Sequence, residues 1–497
     1  MTVLMIVKAS HLTALDARDK IRKRALSSVD LLESCIEQIE KIDPVVNAMV
    51  TRSFDRAREE ALSADAAINL GKDLGLLHGL PIAIKDIHQT KGIVTTFGKK
   101  DLANNVPSSD SGIVNRIRKA GGIIIGKTNV PEGSIGANTV NPLFGATGNV
   151  FNPDLTCGGS SGGSAVAIAS HMAPLATGSD HGGSLRIPAC YSGVVGFRAT
   201  PGVVPNEGRT TLQTNYSVQG PMARTVADAA LMLSVIAERD ENSVKDPMAF
   251  PLNASMFATL DNVDISRLRI ALSADLGGVL VSKSIREIFK CRMEALSDKV
   301  AVCDWHDLDL SSAPDVDWHL RQDLFVTQYY EQAKTWSEDF NPNIKSSYDS
   351  ALMTTMASIA EARARQMQLY QSFSSVFEDY DIVICPGVSI PPFPWKLRNP
   401  LAIDGKPVEN YMAWLALTSS LTVVGHPVVA LPCGLDDQGT PFGIQVVGKM
   451  YSDHRLLSIA SGLEGYFNQS PALKRPVPDF DKLSKFDSTC RTLGKLV

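Results

Sequence analysis

Residues 157–188 read CGGSSGGSAVAIASHMAPLATGSDHGGSLRIP, and this stretch decides the fold. It contains two glycine–serine clusters, at 158–164 and 182–184, with an apolar run between them. Glycine lets backbone N–H groups approach a ligand closely, and a serine hydroxyl can attack a carbonyl once its proton is removed. Each cluster alone is typical of a flexible linker. Because apolar sequence follows both clusters, at 165–169 and 193–197, we expect them to be buried side by side and to supply a nucleophile, a relay hydroxyl and an oxyanion hole.

The composition excludes several classes of protein. The chain has 497 residues, of which 44% are hydrophobic and 20% charged, which is typical of one large globular domain or a few small ones. A net charge of −5 argues against a nucleic-acid partner, which would need a basic face. The eight cysteines form no CxxC pair, so we expect no zinc site, no disulfide framework and a cytoplasmic location.

Apolar runs indicate neither a leader nor a membrane span. Residues 1–7 are apolar, but they lack a basic n-region, and Lys8 interrupts them before a signal-peptide core is reached. Elsewhere no apolar run is long enough to cross a bilayer. We therefore expect no contact with a membrane.

Alternating helical and strand patterns predict an α/β protein, read as four regions of one large domain. We expect a helical region at 1–75, a core at 76–238, an α/β and helical insert or cap at 239–380, and a return to the core sheet followed by a C-terminal tail at 381–497.

Within these regions the patterns predict individual elements. A helix capped at Ser27 should end at Asp43–Pro44. Further helices are expected at 54–70, 111–120, 225–238, 284–296, around 318–336, and as one long helix at 351–380. Strands are expected at 79–86, 123–125, 381–386, 427–432 and 442–448. The last three should rejoin the core sheet.

Lys85 stands at the end of an apolar strand. Such a lysine is ordinarily exposed or paired with a carboxylate. If instead its amine is desolvated, burial disfavours the ammonium and lowers its pKa, so that the neutral amine can act as a general base. The sequence leaves both interpretations open.

Two familiar motifs fit residues 158–164 poorly. A phosphate-binding Walker loop requires lysine after its second glycine, whereas Ser164 follows Gly163 here. G-x-S-x-G matches at Ser160 and Ser161, but the α/β-hydrolase elbow needs a strand directly before it, and the preceding residues are turn-like with a proline. A histidine-based esterase stays open as an alternative, with a base among four downstream histidines: His306, His319, His426 and His454.

Three motifs in order give a more specific match. The first glycine–serine cluster, the segment GSDHGGSLRIPA at 178–189 and the upstream segment GLPIAIKD at 79–86 together resemble the amidase signature family. The similarity is dense over about 79–235 and weaker over 380–465. It implies the amidase-signature fold, an α/β fold with a large mixed central sheet flanked by helices on both faces.

The resemblance also implies roles for individual residues. The family uses a Ser-Ser-Lys triad, which falls here on Ser184 as nucleophile, Ser160 as relay serine with a cis peptide, and Lys85 as base. This machinery works without cofactor or metal.

Further positions match supporting elements of the family. Backbone N–H groups of the second loop would form the oxyanion hole, and three more residues would support the loop geometry, although an arginine there could simply pair with an acidic neighbour. The sequence departs from the commonest pattern at Ser179, where threonine is frequent. His181 occupies a variable position of the pattern. The implied oxyanion residues are His181, Gly182 and Gly183, together with the Ser184 amide. The implied supporting residues are Ser161, Asp180 and Arg186.

The resulting prediction is an amidase that hydrolyses the C–N bond of a small carboxylic amide or anilide through an acyl-enzyme on Ser184. A carbamate or ester hydrolase with the same triad is an alternative. Another is one subunit of a glutamine-dependent amidotransferase, but such members usually carry Gln where this chain has Ile187. We expect a small-molecule amide as the partner and allow for a homodimer.

Overall fold

The computed structural model describes residues 8–72, 74–211, 214–336 and 340–491. The expectation about a leader at residues 1–7 lies outside the described residues. Within them, no helix combines the length and the apolar character that a membrane crossing requires. All eight cysteines carry free thiols.

A mixed sheet of 11 strands forms the centre of the molecule, and helices flank it. In chain order the strands are β1 (Met49–Arg52), β2 (Pro81–Lys85), β3 (Ile123–Thr128), β4 (Val140–Asn141), β5 (Gly145–Ala146), β6 (Leu175–Asp180), β7 (Val195–Arg198), β8 (Val218–Ala223), β9 (Arg269–Leu272), β10 (Val302–Trp305), β11 (Ile382–Pro386), β12 (Ala402–Ile403), β13 (Lys406–Pro407), β14 (Val428–Leu435) and β15 (Pro441–Val447). The spatial order in the large sheet is β1-β3-β2-β6-β8-β7-β14-β15-β11-β9-β10. The pairs β4–β5 and β12–β13 are separate two-stranded sheets.

The three strands predicted late in the chain rejoin the core sheet. β14 pairs antiparallel with β7, β15 pairs with β14, and β11 pairs with β15. β11, β14 and β15 are almost entirely buried, as expected for apolar runs in the middle of a covered sheet. The predicted α/β class and large mixed sheet are confirmed.

Helices connect and cover these strands. They are α1 (Ala14–Arg22), α2 (Ser28–Val46), α3 (Phe54–Asn69), α4 (Gly112–Lys119), α5 (Gly162–Ala169), α6 (Arg186–Ser192), α7 (Val226–Ile236), α8 (Lys283–Ser297), α9 (Ala313–Leu320), α10 (Gln322–Tyr329), α11 (Pro342–Leu352), α12 (Met356–Ser375), α13 (Ala416–Val424), α14 (Asp453–Phe467) and α15 (Phe480–Leu483). Short 3₁₀ turns lie between several of them.

Helix α2 extends two residues beyond its predicted end at Asp43–Pro44. The Ser27 side chain caps the helix as expected, accepting from the Asp30 N–H, but the helix runs through Pro44 to Val46. A proline removes only its own N–H, so the last turn persists until Asn47, which adopts a left-handed conformation with φ 56°. The Asp43 carboxylate then accepts the N–H groups of Ala48 and Met49 just beyond the helix.

Two predicted long helices are each broken in two. The segment around 318–336 divides at Arg321 into α9 and α10, because α9 packs on α12 and α13 whereas α10 packs on α11. The segment 351–380 divides after Leu352, where Thr355 caps α12 by accepting the Ser358 N–H. A local cap overrides the continuous helical pattern there.

The predicted insert contributes to the main sheet. β9 pairs parallel with β11, and β10 pairs parallel with β9, so both strands extend one edge of the core. The proposed boundaries of the four regions stay a prediction.

The first glycine–serine cluster and helices α5 and α6 are buried as expected, whereas the second cluster is half-buried at Gly182 and Ser184. Every residue of α5 and of α6 is buried, and the two helices pack on each other and on the sheet. One glycine–serine loop leads into α5, and the other connects β6 to α6. The fold therefore holds the two loops rigidly beside the sheet.

Candidate active site

Lys85 is the last residue of β2, an inner strand of the sheet. This strand runs parallel to both of its neighbours, β3 and β6, so the carboxyl ends of all three meet at the same edge. Lys85 is fully buried, and its Nζ lies 2.7 Å from Ser160 Oγ and 2.8 Å from Ser179 Oγ. Of the two interpretations of Lys85, the structure selects the desolvated amine.

The surroundings of Lys85 favour the neutral amine. Burial lowers the pKa of Lys85 from 10.5 to about 7, against the opposing charge of Asp180. No ion pair with a carboxylate involves Lys85 in the described chain. A neutral amine has two N–H donors and one lone pair, so it can donate to Ser179 and still accept a proton from Ser160.

A second buried lysine nearby has a different environment. Lys127 Nζ donates to the His88 carbonyl at 2.5 Å, to Thr95 Oγ1 at 2.8 Å and to Thr90 Oγ1 at 3.0 Å, and it lies 3.7 Å from Asp86 Oδ1. These acceptors occupy all three ammonium donors, so Lys127 acts as a structural cation. Burial lowers the pKa of Lys127 as well, to about 8, against the opposing charge and hydrogen bond of Asp86. Lys85 differs in its contacts, because it bonds to Ser160 and has no ion pair with a carboxylate in the described chain.

Ser160 is the centre of a chain of hydroxyl groups. The peptide bond Gly159–Ser160 is cis, as the family resemblance implies. Ser160 is only 2% exposed, and its Oγ accepts from Lys85 Nζ and from the Ser134 hydroxyl, each at 2.7 Å. Ser134 was not predicted from the sequence.

Ser184 lies against the first loop through its backbone. The Ser161 N–H donates to the Ser184 carbonyl at 3.2 Å, and Ser161 Oγ and Ser179 exchange hydrogen bonds at 3.3 Å. Ser161 therefore joins the two loops. The Ser184 side chain is partly exposed, and within the described chain its Oγ has no hydrogen bond to Ser160 or to any other group.

A buried ionic network anchors the second loop. Arg186 donates to both carboxylate oxygens of Asp180 at 2.9 and 3.0 Å, and Arg198 lies 3.2 Å from the same carboxylate. Burial alone would raise the pKa of Asp180, but the charges of the two arginines and their hydrogen bonds hold it below its usual range. Arg186 pairs with an acidic neighbour, and this pairing itself anchors the loop.

The backbone amides of the second loop differ in their hydrogen bonding. The Gly183 N–H, expected among the oxyanion donors, instead donates to Asp180 Oδ1 at 3.0 Å. No hydrogen bond within the described chain occupies the amides of His181, Gly182 or Ser184. Glycine is required at 183, where φ is 126° and a Cβ would lie 2.4 Å from Thr418 Oγ1.

His181 presents a neutral ring. Burial lowers the pKa of His181 well below its ordinary value, with further lowering by the charges of Arg321 and Arg198. The ring packs edge-on against Tyr216 with centroids 5.4 Å apart, and its buried Nε2 has no partner within the described residues. Because the His181 imidazole is neutral, it adds no charge beside the backbone amides of the loop.

The four histidines considered as bases for an esterase triad lie elsewhere. His426 bonds to Ser374 and the Gly448 carbonyl, His454 bonds to the Thr259 carbonyl, and His319 bonds to the Asp315 carbonyl. His306 packs its ring against Tyr380. Within the described residues none of the four has a hydrogen bond to Ser160 or Ser184, so the histidine-based alternative loses its support.

Sequence reasoning missed three contacts of the site. It noted Ser179 only as a departure from the family pattern and gave no role to Ser134 or Thr418. Thr418, on α13, donates to the Gly182 carbonyl at 2.6 Å. The serine at a usual threonine position was the one available signal, since both residues supply a hydroxyl.

The sequence of the chain is similar to a known protein family and to two types of relative. Residues 30–457 match the family model described as Amidase. An acylamidase from Rhodococcus erythropolis is 29% identical over 459 residues, covering 91% of this chain and 95% of that protein. A glutamyl-tRNA(Gln) amidotransferase subunit from Lachnospira eligens is 31% identical over 470 residues, covering 90% of this chain and 96% of that protein.

The fold agrees with these matches. The crystal structure of a bacterial aryl acylamidase of the amidase signature family is similar, with a TM-score of 0.86 at 25% identity over 96% of this chain and 99% of the other. The family model, the two relatives and the aryl acylamidase structure each match most of the length of this chain. The chain therefore belongs to the amidase signature family of enzymes that act on carbon–nitrogen bonds.

Proposed function

We propose that this protein hydrolyses the C–N bond of a small carboxylic amide or anilide through an acyl-enzyme on Ser184, with Lys85 and Ser160 as its proton relay. The observation that carries the proposal is the contact of 2.7 Å between Ser160 Oγ and a buried lysine amine that has no carboxylate partner in the described chain. The relatives named acylamidase and aryl acylamidase support the choice of substrate class.

The relay moves two protons in the first step. Neutral Lys85 takes the proton of Ser160 Oγ while Ser160 takes the proton of Ser184 Oγ, and the Ser184 oxygen bonds to the carbonyl carbon. The carbonyl oxygen becomes an oxyanion. When the C–N bond breaks, Ser160 gives its proton to the leaving nitrogen, and the Lys85 ammonium returns a proton to Ser160. Water then enters and repeats the sequence on the acyl-enzyme.

The free amides of the second loop are suited to the oxyanion. Donors fixed in advance toward developing negative charge each contribute about 3–4 kcal/mol in well-studied hydrolases. In this chain the amides of His181, Gly182 and Ser184 are available, while Asp180 fixes the loop through the Gly183 amide. We assign the oxyanion to those three amides.

Replacement of the nucleophile tests the proposal. We expect the purified protein to hydrolyse an anilide and Ser184→Ala to lose at least about 10³-fold in kcat with an unchanged fold. Ser170→Ala is the matched control, because Ser170 lies in the same stretch and its buried hydroxyl has no partner in the described chain. Mass spectrometry should detect an acyl adduct on Ser184. Substantial activity in Ser184→Ala would reject the mechanism.

A second candidate is a glutamine-dependent amidotransferase subunit. The observation that favours it is the identity of 31% to the amidotransferase protein from Lachnospira eligens, which is no lower than the identity to the acylamidase. Against it stands Ile187, an apolar side chain packed beside Gly183 where the amidotransferase pattern has glutamine.

Activity of the isolated chain separates the two candidates. An amidase should turn over an anilide alone, without partner subunits, and release little ammonia from glutamine. Ammonia release from glutamine in preference to anilide hydrolysis would favour the amidotransferase. Comparison of matched amides, carbamates and esters on the same preparation would define the leaving group.

A further inference from the structure

Ser134 contacts the relay serine from outside the three family motifs. Its hydroxyl donates to Ser160 Oγ at 2.7 Å, the same distance that separates Ser160 from Lys85 Nζ. Ser160 is almost completely buried, so water has little access to this oxygen. A side chain that bonds directly to a buried relay oxygen affects every proton that passes through it.

The loop that carries Ser134 is fixed from two sides. From the core, the Phe97 carbonyl accepts the Gly133 N–H at 2.8 Å. From the helical region, Asn341 at the start of α11 donates to the Glu132 carbonyl at 3.0 Å and to the Ile135 carbonyl at 3.1 Å. These contacts bracket Ser134 on both sides, so its hydroxyl is held in place rather than free to rotate away with its loop.

The backbone at Ser134 is unusual for its residue type. Ser134 has φ 63°, in the left-handed region that residues other than glycine seldom adopt, and the preceding Gly133 has φ 63° as well. Glycine would be the relaxed choice at both positions. The chain instead has a hydroxyl at 134 in a strained backbone conformation, which is typical of a functional position.

Counting hydrogen-bond sites shows what this hydroxyl does. A serine hydroxyl has one O–H donor and two acceptor lone pairs. In the observed arrangement Ser160 Oγ accepts from both Lys85 Nζ and the Ser134 hydroxyl. For neutral Lys85 to act as the base, the first bond must reverse, so that the Ser160 O–H donates to the Lys85 lone pair while the Ser134 hydroxyl still occupies one lone pair of Ser160. A single lone pair then remains, and it is the one that must accept the proton of Ser184.

We propose that Ser134 is a positioning residue of the proton relay, which orients the Ser160 hydroxyl so that its free lone pair faces Ser184. This inference rests on the proposed function, because it assumes that protons pass from Ser184 through Ser160 to Lys85. Ser160 transfers protons in both acylation and deacylation, so loss of its orientation slows both steps. Binding of the substrate does not involve this hydrogen bond and stays the same.

Two substitutions at one position test the proposal. Ser134→Ala removes the hydroxyl and keeps the strained backbone, whereas Ser134→Gly removes the hydroxyl and relaxes it. We expect both variants to lose about tenfold in kcat, the size of one hydrogen bond, with KM unchanged. Single-turnover rates of acylation and deacylation should fall by the same factor. The acid limb of the pH profile should stay in place, because Lys85 is still the base.

Ser346→Ala is the matched control. Ser346 lies on α11, the helix that begins after Asn341, and its hydroxyl bonds only to the Asn343 carbonyl, at 3.3 Å, in the described structure. It should keep the activity of the unmodified protein, which would show that general perturbation of this region does not slow the enzyme.

Each other outcome is decisive. Activity within twofold of the unmodified protein in both variants would overturn the role of Ser134. Loss in Ser134→Ala that Ser134→Gly restores would assign the effect to the backbone, and a raised KM at constant kcat would assign it to substrate binding; either result also overturns the proposal. Ser184→Ala measured alongside keeps the two hypotheses apart. If that variant is inactive while the Ser134 variants are normal, only this inference fails, and if it is active, the proposed function fails.

Discussion

Replacing Lys85 by methionine should make the protein inactive but more stable at low pH. Methionine has a similar length and no charge, so it fills the same buried space without the ammonium. In the folded protein the pKa of Lys85 is about 7, because burial disfavours the charged form, whereas in the unfolded chain it is near 10.5. The folded state therefore carries an energetic penalty whenever Lys85 is protonated.

The size and sign of the effect follow from these two pKa values. Below about pH 7 both states are protonated, and the folded state bears the whole penalty, of about 5 kcal/mol. As the pH rises from about 7 toward 10.5, the folded state binds fewer protons than the unfolded chain, so stability increases with pH. Between about pH 6 and about pH 9 the penalty should fall by about 2.5 kcal/mol.

Urea unfolding at these two pH values measures the effect. The unmodified protein should gain about 2.5 kcal/mol from the lower to the higher pH relative to Lys85→Met, and other titrating groups cancel in this comparison. Loss of the hydrogen bonds to Ser160 and Ser179 also cancels, because it is the same at both pH values. Lys283→Met, in which the replaced side chain is 75% exposed, should show no such difference.

A pH-independent difference between Lys85→Met and the unmodified protein would refute the reasoning. It would mean that the ammonium is not penalised by burial, and Lys85 would then have no reason to be neutral near pH 7. Retained hydrolase activity in Lys85→Met would be equally damaging, because no other base lies on Ser160 in the described structure.

Two further predictions concern the base and the loop anchor. The value of kcat/KM should rise with pH and reach half its plateau near pH 7, because only neutral Lys85 accepts the Ser160 proton; a profile that is flat through this region would contradict the assignment. Asp180→Asn should lower the free energy of unfolding by about 3–5 kcal/mol in urea, because it leaves buried Arg186 and Arg198 without their counter-charge. Asp481→Asn, at an exposed pair with Lys41, should leave stability nearly unchanged, and equal effects of the two substitutions would argue against the buried network.

Local patterns were sufficient for much of the fold. The Ser27 cap, the break after α3 and the buried apolar strands were predicted because neighbours in sequence supply the capping groups and the burial pattern. One error occurred where tertiary packing overrode the local pattern. The helical pattern continued through Arg321, but packing against different partners divided the helix there.

By itself the sequence determined the class of the fold and the burial of the first glycine–serine cluster, because each follows from patterns in contiguous residues. The family resemblance, carried by three short motifs, gave the lysine and serines proposed for the triad. Tertiary structure alone decided which hydroxyls surround the relay. Ser134 lies 26 positions from Ser160, and Ser179 lies 94 positions from Lys85, yet each pair is within 2.8 Å. Only the complete fold determines such distances, since a hydrogen bond depends on where two separate segments meet, and no local pattern records that meeting.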